Sequence, residues 1–209
     1  MALKQQKPRT PSKRNVVTFT SDRQSEYIEP SKTLVKGKAR KSGRNHLGRI
    51  TVNHRGGGAK RKYRQVDFKR KKWNVPGKVK GFVYDPYRNA DLAYISYEDG
   101  SFALIVATSK MEVGDVIVTG EKVEPSEGNR MYLKEIPVGS VINNIEMRPG
   151  SGAKVVRSAG ASAILMAKDS GRVAVKLPSG EMRYFLENCM ATMGSVGNEG
   201  FRNQRKGSA

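Results

Sequence analysis

The chain has 209 residues, room for one large domain or two small ones, with 37% hydrophobic residues and a formal net charge of +20. No run approaches the roughly 20 apolar residues of a membrane-spanning helix. The single cysteine, Cys189, excludes an intrachain disulfide and a thiolate zinc site, and its flanks Leu186 and Met190 suggest a buried or half-buried residue.

The charge is unevenly spread. Residues 1–72 hold 22 Lys and Arg against 4 Asp and Glu, whereas residues 73–209 hold 17 against 15. The chain therefore reads as a basic arm followed by a nearly neutral globular part. Such an arm serves nucleic acid, an anionic membrane or organelle import. The arm lacks the amphipathic face of Leu, Phe or Trp that a membrane surface requires. A transit peptide would explain at most the first few residues and not charge that continues to Lys72. A polyanion, and structured RNA in particular, is the expected partner.

In chain order, Met1 to Arg14 is polar, with Lys4, Lys7, Arg9, Lys13, Arg14, Pro8 and Pro11, and on its own is expected to be disordered. Val16, Val17 and Phe19 suit a short strand, and Lys32 to Lys41 is basic again. Ile50, Thr51 and Val52 form a candidate strand before a turn at Gly56–Gly57–Gly58. Strands are then predicted over Val79 to Tyr84, with Val79, Gly81 and Val83 on one face and Lys80, Phe82 and Tyr84 on the other, and over Leu92 to Tyr97 and Phe102 to Ala107, the latter two joined by an Asp99–Gly100 hairpin. Val113–Gly114–Asp115 turns into Val116, Ile117 and Val118. Short strands with tight turns at this spacing predict a small barrel, an oligonucleotide-binding (OB) Greek key being the best candidate.

Glu121 to Asn129 is polar and marks the expected boundary. A second β set follows: one strand over Val141 to Met147, closed by Pro149–Gly150–Ser151–Gly152, then Ala163 to Ala167, a turn at Asp169–Ser170–Gly171, and a half-buried strand with Val173, Val175 and Leu177 alternating with Ala174 and Lys176. Ser179–Gly180 leads into Met182, Tyr184 and Leu186, completing a second barrel of SH3-like size. A short helix after Leu186 is compatible with the pattern, and the chain turns polar from Gly194. The expected fold is all-β: a basic extension over 1–43, an OB-fold RNA-binding domain over 44–121, and an SH3-like barrel with a polar tail over 122–209.

The densest cationic stretch, SGRNHLGRITVNHRGGGAKRKYRQVDFKRKK over residues 42–72, has only Asp67 in opposition. Its candidate RNA contacts are Arg44, Asn45, Arg49, Arg55, Lys60, Arg61, Lys62, Arg64, Lys69, Arg70, Lys71 and Lys72. Gly56, Gly57 and Gly58 join them, because backbone N–H groups without side chains can approach a sugar-phosphate chain. Lys and Arg neutralise phosphates with counterion release, and Arg can fork onto phosphate. Tyr63 and Trp73 either stack on bases or pack on the barrel.

No catalytic set is found. His46 and His54 have no thiol or carboxylate beside them, so no metal site is expected. The glycine triplet continues as Ala59–Lys60–Arg61, without the Gly-Lys-Ser/Thr of a nucleotide-hydrolysing loop. No cofactor and no enzymatic activity are expected.

The 42–70 stretch, VYDPYRNADLAYISYEDG, IPVGSVINNIEMRPGSGAKVVRSAGASA and LPSGEMRYFLENCMATMGSVGN together resemble the universal large-subunit ribosomal protein L-two family, in its bacterial and organellar form. The resemblance runs in order from about Asn15 onward. It implies an OB barrel, an SH3-like barrel and a basic extension. It implies a structural constituent of the large ribosomal subunit that binds large-subunit ribosomal RNA, supports assembly around the peptidyl transferase centre and helps the subunits associate. Neighbouring ribosomal proteins would be further partners. Arg88 in YDPYR and Arg157 in VRSAG match family positions tied to RNA binding. The family pattern continues after VGN with a segment rich in Gly, Arg and His, including an HPHGGGEG-like motif; here Gly197–Asn198–Glu199–Gly200 is followed by FRNQRKGSA. A separate polypeptide supplying that segment, and a mitochondrial ribosome, with plastid and bacterial cytoplasm as alternatives, are the expectations that follow.

Overall fold

The structure, a computed structural model, describes residues 2–20 and 22–207. Sixteen strands and a few single turns of 3-10 helix make up its regular structure. In the front part, β1 (Ala2–Gln5) pairs antiparallel with β2 (Val17–Thr20), and β3 (Val35–Gly37) with β4 (Lys62–Arg64). The sequence reading expected disorder for the first of these segments. A strand ladder uses backbone N–H and C=O groups, so its polar, exposed residues pair without burying apolar surface.

The first barrel is built on β5 (Gly77–Val83), β6 (Leu92–Tyr97), β7 (Phe102–Val106) and β8 (Val116–Ile117), in the order β7-β6-β5-β8. The Asp99–Gly100 hairpin lies where predicted, with Gly100 at φ +75°. The expected alternation in β5 breaks at a bulge between Val79 and Gly81, so that Phe82 and Val83 are both fully buried. A bulge adds a residue to one strand and swaps the faces beyond it. As a result this sheet buries both faces. Val79, Phe82, Ala93, Ile95 and Ile105 fill one core, and Val83, Leu92, Leu104 and Val106 fill another.

The second core is covered by chain from elsewhere. Leu34, Val66 and Phe68 come from the basic region, Ala159 from the second barrel and Val196 from the tail. The tail is thus not a solvated polar segment at its start: Val196 is fully buried, the Ser109 N–H donates to the Ser195 carbonyl at 2.9 Å, and the Gly197 N–H donates to the Ala107 carbonyl at 3.0 Å. Part of the arm is also packed. The Arg23 guanidinium donates to the carbonyls of Thr108 and Met111 at 2.9 and 2.8 Å and lies 4.3 Å from the Phe82 ring centroid, and the Tyr27 hydroxyl donates to Asp91 at 2.8 Å.

The second barrel comprises β9 (Arg130–Tyr132), β10 (Val141–Asn143), β13 (Ala163–Asp169), β14 (Arg172–Lys176), β15 (Met182–Leu186) and β16 (Met190–Met193), ordered β15-β14-β13-β10-β16-β9, with β11 (Ile145–Glu146) and β12 (Ala153–Val155) as a separate pair. The single strand expected over Val141 to Met147 is two strands, because Asn144 takes the left-handed conformation at φ +51° and turns the chain. Asparagine tolerates that region better than most residues. In β15 the residue that enters the core is Phe185, whereas Met182, Tyr184 and Leu186 face outward. Residues 187–189 form a turn rather than a helix. Cys189 is fully buried, and burial pushes its thiol pKa up.

Candidate nucleic-acid interface

Between β3 and β4 the chain leaves the barrel as a long loop, in which every residue from 46 to 62 is exposed. Ile50, Thr51 and Val52 form no strand; Ile50 makes a lone bridge with Arg44, and Ile50 and Val52 stay exposed along with Leu47. No acidic residue occurs from 30 to 66, and among the described residues no ion pair neutralises a cation of 32–64. Arg44, Arg49, Arg55, Lys60, Arg61 and Lys62 are all exposed there.

The loop is shaped from within. The Asn45 side-chain oxygen accepts from the Leu47 and Arg49 N–H groups at 2.9 and 3.1 Å, closing a local turn. That oxygen is thereby used by protein, a shaping role the sequence did not reveal. Gly56, Gly57 and Gly58 have φ of +140°, +60° and +69°, a run that residues with a Cβ adopt only under strain. Arg40 holds this run in place. Its guanidinium donates to the carbonyls of Gly57, Gly58 and Ala59. With these carbonyls tied back, Gly56 lies with Lys38, Lys41, Arg55, Arg61 and Tyr87 around an open cup of about 710 Å³. Tyr63 packs edge-on against Tyr87, ring centroids 5.6 Å apart, and Lys38 sits 5.7 Å from each ring. Lys38, Arg40 and Tyr87 were missed as site residues. The basic run 32–41 marked the first two, but only folding places them against the triplet.

The remaining predicted residues separate. Arg61, on the wall of the cup, donates to the Pro86 carbonyl at 3.0 Å; Arg64 donates to the Lys62 carbonyl at 2.7 Å and lines a separate cleft with Lys32, Lys60 and Lys62. Lys69 and Lys71 are exposed and line a cleft separate from the cup. Lys72 is taken by Asp99 and the Ser101 hydroxyl, and its ammonium lies 4.5 Å from the Tyr97 ring centroid. This contact holds the exposed Asp99 carboxyl down at about 2, hydrogen bonds from Lys72 and Ser101 being the cause.

Arg70 is not at the surface. It is 4% exposed, donates to the Gly128 carbonyl at 2.8 Å, and is lowered to about 10 by burial and by the nearby Arg130. Its neighbours in sequence point outward; its own backbone, at φ +44°, turns the side chain inward. Arg70 therefore joins the two barrels and leaves the candidate RNA surface. Beside it, Arg130 and Glu146 form a buried pair at 2.8 Å, each 1% exposed. The Glu146 carboxylate also accepts from the N–H groups of Gly150, Gly152 and Met190, so the buried acid shapes the 148–152 loop.

Arg88 and Arg157, distant in sequence, are brought together. Arg88 pairs with Asp85 and lies 5.7 Å from the centroid of Phe68; Arg157 lies 4.8 Å from the same ring. With Tyr87, Asn89, Ser158 and Ala159 they line an open cleft where the barrels meet. Among the described residues no group of three or more His, Cys, Asp or Glu is placed to hold a metal ion.

Comparison with known proteins agrees with this geometry. The family described as "Ribosomal Proteins L2, RNA binding N-terminal domain" matches residues 31–119, and "Ribosomal Proteins L2, C-terminal domain" matches residues 126–209. The chain is 47% identical over 205 residues to the large ribosomal subunit protein uL2 of Hyphomonas neptunium, covering 98% of this chain and 74% of that protein. It is 46% identical over 210 residues to uL2 of Maricaulis maris, covering 100% and 75%, and 44% identical over 210 residues to uL2 of Cereibacter sphaeroides, again covering 100% and 75%. Two consecutive family matches that together span most of the sequence, and whole-chain identity at this level, decide the assignment: the chain belongs to the ribosomal protein L2 family.

Proposed function

We propose that the exposed loop 46–62, the cup closed by Arg40, and the Arg88–Arg157 cleft form one RNA-gripping surface, with Arg44, Arg49, Arg55, Lys60, Arg61 and Lys62 on phosphates and the Gly56–Gly58 backbone close to the sugar-phosphate chain. The protein is a structural constituent of the large ribosomal subunit that binds ribosomal RNA, and it is not an enzyme. The observation that carries the surface assignment is the loop itself. It is fully exposed, holds its shape through Arg40 and Asn45, displays Leu47, Ile50 and Val52 to solvent, and carries only positive charge. A loop so built is stabilised by a partner that covers it and supplies anions.

Its placement near the peptidyl transferase centre, and its help in assembly and subunit association, belong to the same reading. A basic extension over 1–43, an OB domain over 44–121 and an SH3-like domain over 122–209 is the division we infer; the family matches over 31–119 and 126–209 support it, and the pairing of β3 with β4 ties the extension to the first barrel. Neighbouring ribosomal proteins are the proposed protein partners. We infer a mitochondrial ribosome, with plastid and bacterial cytoplasm as the other outcomes; the bacterial relatives support a bacterial-type particle.

The test is binding of the full chain and of a chain lacking residues 1–41 to a large-subunit rRNA fragment across a salt series. The full chain is expected to bind with a steep loss of affinity in salt and the shortened chain with a shallower slope, because fewer phosphates are neutralised. Equal slopes would remove the front segment from the interface. Fractionation of a tagged chain, with the protein inventory of the particle it enters, tests compartment and partners.

A further inference from the structure

A separate cleft contains the chain's single tryptophan. Lys69, Lys71, Trp73, Tyr132, Lys134 and Asn188 line it, around a volume of about 530 Å³, within the usual range for a ligand pocket. Trp73 remains 43% exposed although its ring meets Tyr132, with centroids 5.7 Å apart and planes tilted by 47°. The contact fixes the indole without covering it.

Three lysines, Lys69, Lys71 and Lys134, and two glutamates, Glu121 and Glu146, line the cleft around that ring, and both glutamates are already paired. Lys134 pairs with Glu121 at 2.9 Å and lies 5.2 Å from the Tyr132 ring centroid. Glu146 faces the cleft too, but its carboxylate is taken by Arg130 and by three backbone N–H groups. Lys69 and Lys71 are exposed, and among the described residues neither forms an ion pair; the Asn188 side chain makes no hydrogen bond to them either. A fixed, part-open indole beside two free ammonium groups and an unused amide suits an unpaired nucleobase with its flanking phosphates. A duplex offers no base face to such a ring, and an aromatic peptide side chain would leave the lysines unused.

We propose that this cleft takes a single extruded nucleotide of RNA, its base stacked on Trp73 and its phosphates on Lys69 and Lys71. The proposal rests on the RNA-binding reading above, and adds a base-stacking site to a surface otherwise described only by phosphate contacts. It also predicts that the protein holds single-stranded RNA in preference to duplex at this point.

Because Trp73 is the chain's single tryptophan, intrinsic tryptophan fluorescence reports on this cleft alone. The full chain is titrated with a single-stranded oligoadenylate of about six nucleotides, a length within the range of small single-strand sites, and in parallel with inorganic polyphosphate of matched charge. Saturable quenching by the oligoadenylate and none by polyphosphate is expected. Trp73→Ala should weaken oligoadenylate binding, read by polarisation of a labelled oligonucleotide, about tenfold to a hundredfold. Trp73→Phe, which keeps a ring, should retain most of the binding and controls for folding. Equal quenching by polyphosphate overturns the proposal, since charge alone would then move the signal. Binding of the labelled oligonucleotide without quenching also overturns it while leaving the RNA-binding reading intact. Failure to bind oligoadenylate, polyphosphate and an rRNA fragment alike overturns both.

Discussion

Arg88 of the first barrel and Arg157 of the second lie against the same ring, Phe68, at 5.7 and 4.8 Å from its centroid. Arg88 is held in turn by Asp85, and Arg157 donates to the Ala153 carbonyl at 3.3 Å. One aromatic side chain thereby sets the separation of two cations from different domains, and a polyanion crossing the seam meets both. Phe68 comes from the basic stretch, so the segment that supplies most of the charge also aligns the charges it does not supply.

Replacing Arg88 or Arg157 by Ala is expected to weaken rRNA-fragment binding and to lower the magnitude of the log–log salt slope by about one each. Phe68→Ala should lower it by a similar amount without removing a charge. The two arginine substitutions should not be additive, because both cations share a support. Filter binding at four or five salt concentrations checks this; an unchanged slope in Phe68→Ala would show that the ring only packs.

Arg40→Lys keeps the charge and loses the fork that ties the carbonyls of Gly57, Gly58 and Ala59. The loop should lose its fixed shape while the barrels keep theirs. The expected outcome is weaker RNA binding with folding stability changed by less than about 0.5 kcal/mol, as for other surface substitutions. Denaturant unfolding and RNA titration on the same preparation separate the two effects.

The Arg130–Glu146 pair is buried on both sides, with side chains 1% and 2% exposed. Glu146→Ala leaves an unpaired guanidinium in the seam and frees the N–H groups of Gly150, Gly152 and Met190. A loss of about 3–5 kcal/mol in unfolding free energy is expected, as for other broken buried pairs. Replacing both members by apolar residues of similar volume, Arg130→Met with Glu146→Leu, should cost much less than the sum of the single changes. Additive losses in urea unfolding would deny the coupling.

Asp99 supplies a pH test. Its folded carboxyl is held to about 2 against an ordinary 3.8. A depressed carboxylate pKa contributes stability above the unfolded value, and that contribution is lost as pH falls from about 4 towards 2. Both partners are exposed, with 33% and 54% of each side chain accessible, so the effect on total stability should be small. The midpoint itself is the readout: Lys72→Met should move the Asp99 carboxyl signal in an NMR titration back towards the ordinary carboxylate range. A midpoint that does not move would mean that Lys72 is not what holds it.

The strands over Leu92–Tyr97, Phe102–Val106 and Arg172–Lys176 were readable because apolar runs and alternation, with turn residues such as Asp99–Gly100 and Ser170–Gly171 between them, fix local conformation before any long-range contact forms. Charge was readable for the same kind of reason: with no acid from 30 to 66, no fold of this chain could neutralise the segment from within it.

What the sequence did not contain was the destination of each side chain. Arg70 reads like Lys69 and Lys71, yet one positive φ sends it into the seam. Val196 reads as part of a polar tail, yet it fills the first barrel's core. Phe185 rather than its neighbours enters the second core, and Asn144 breaks what looks like one strand. Composition and local pattern determined that this is a cationic all-β protein whose loop calls for a polyanion. Which cations reach the surface, which lie in pairs and which two arginines share a ring were decided only when distant segments returned to each other, since burial is a property of the neighbours the fold supplies and not of the residue itself.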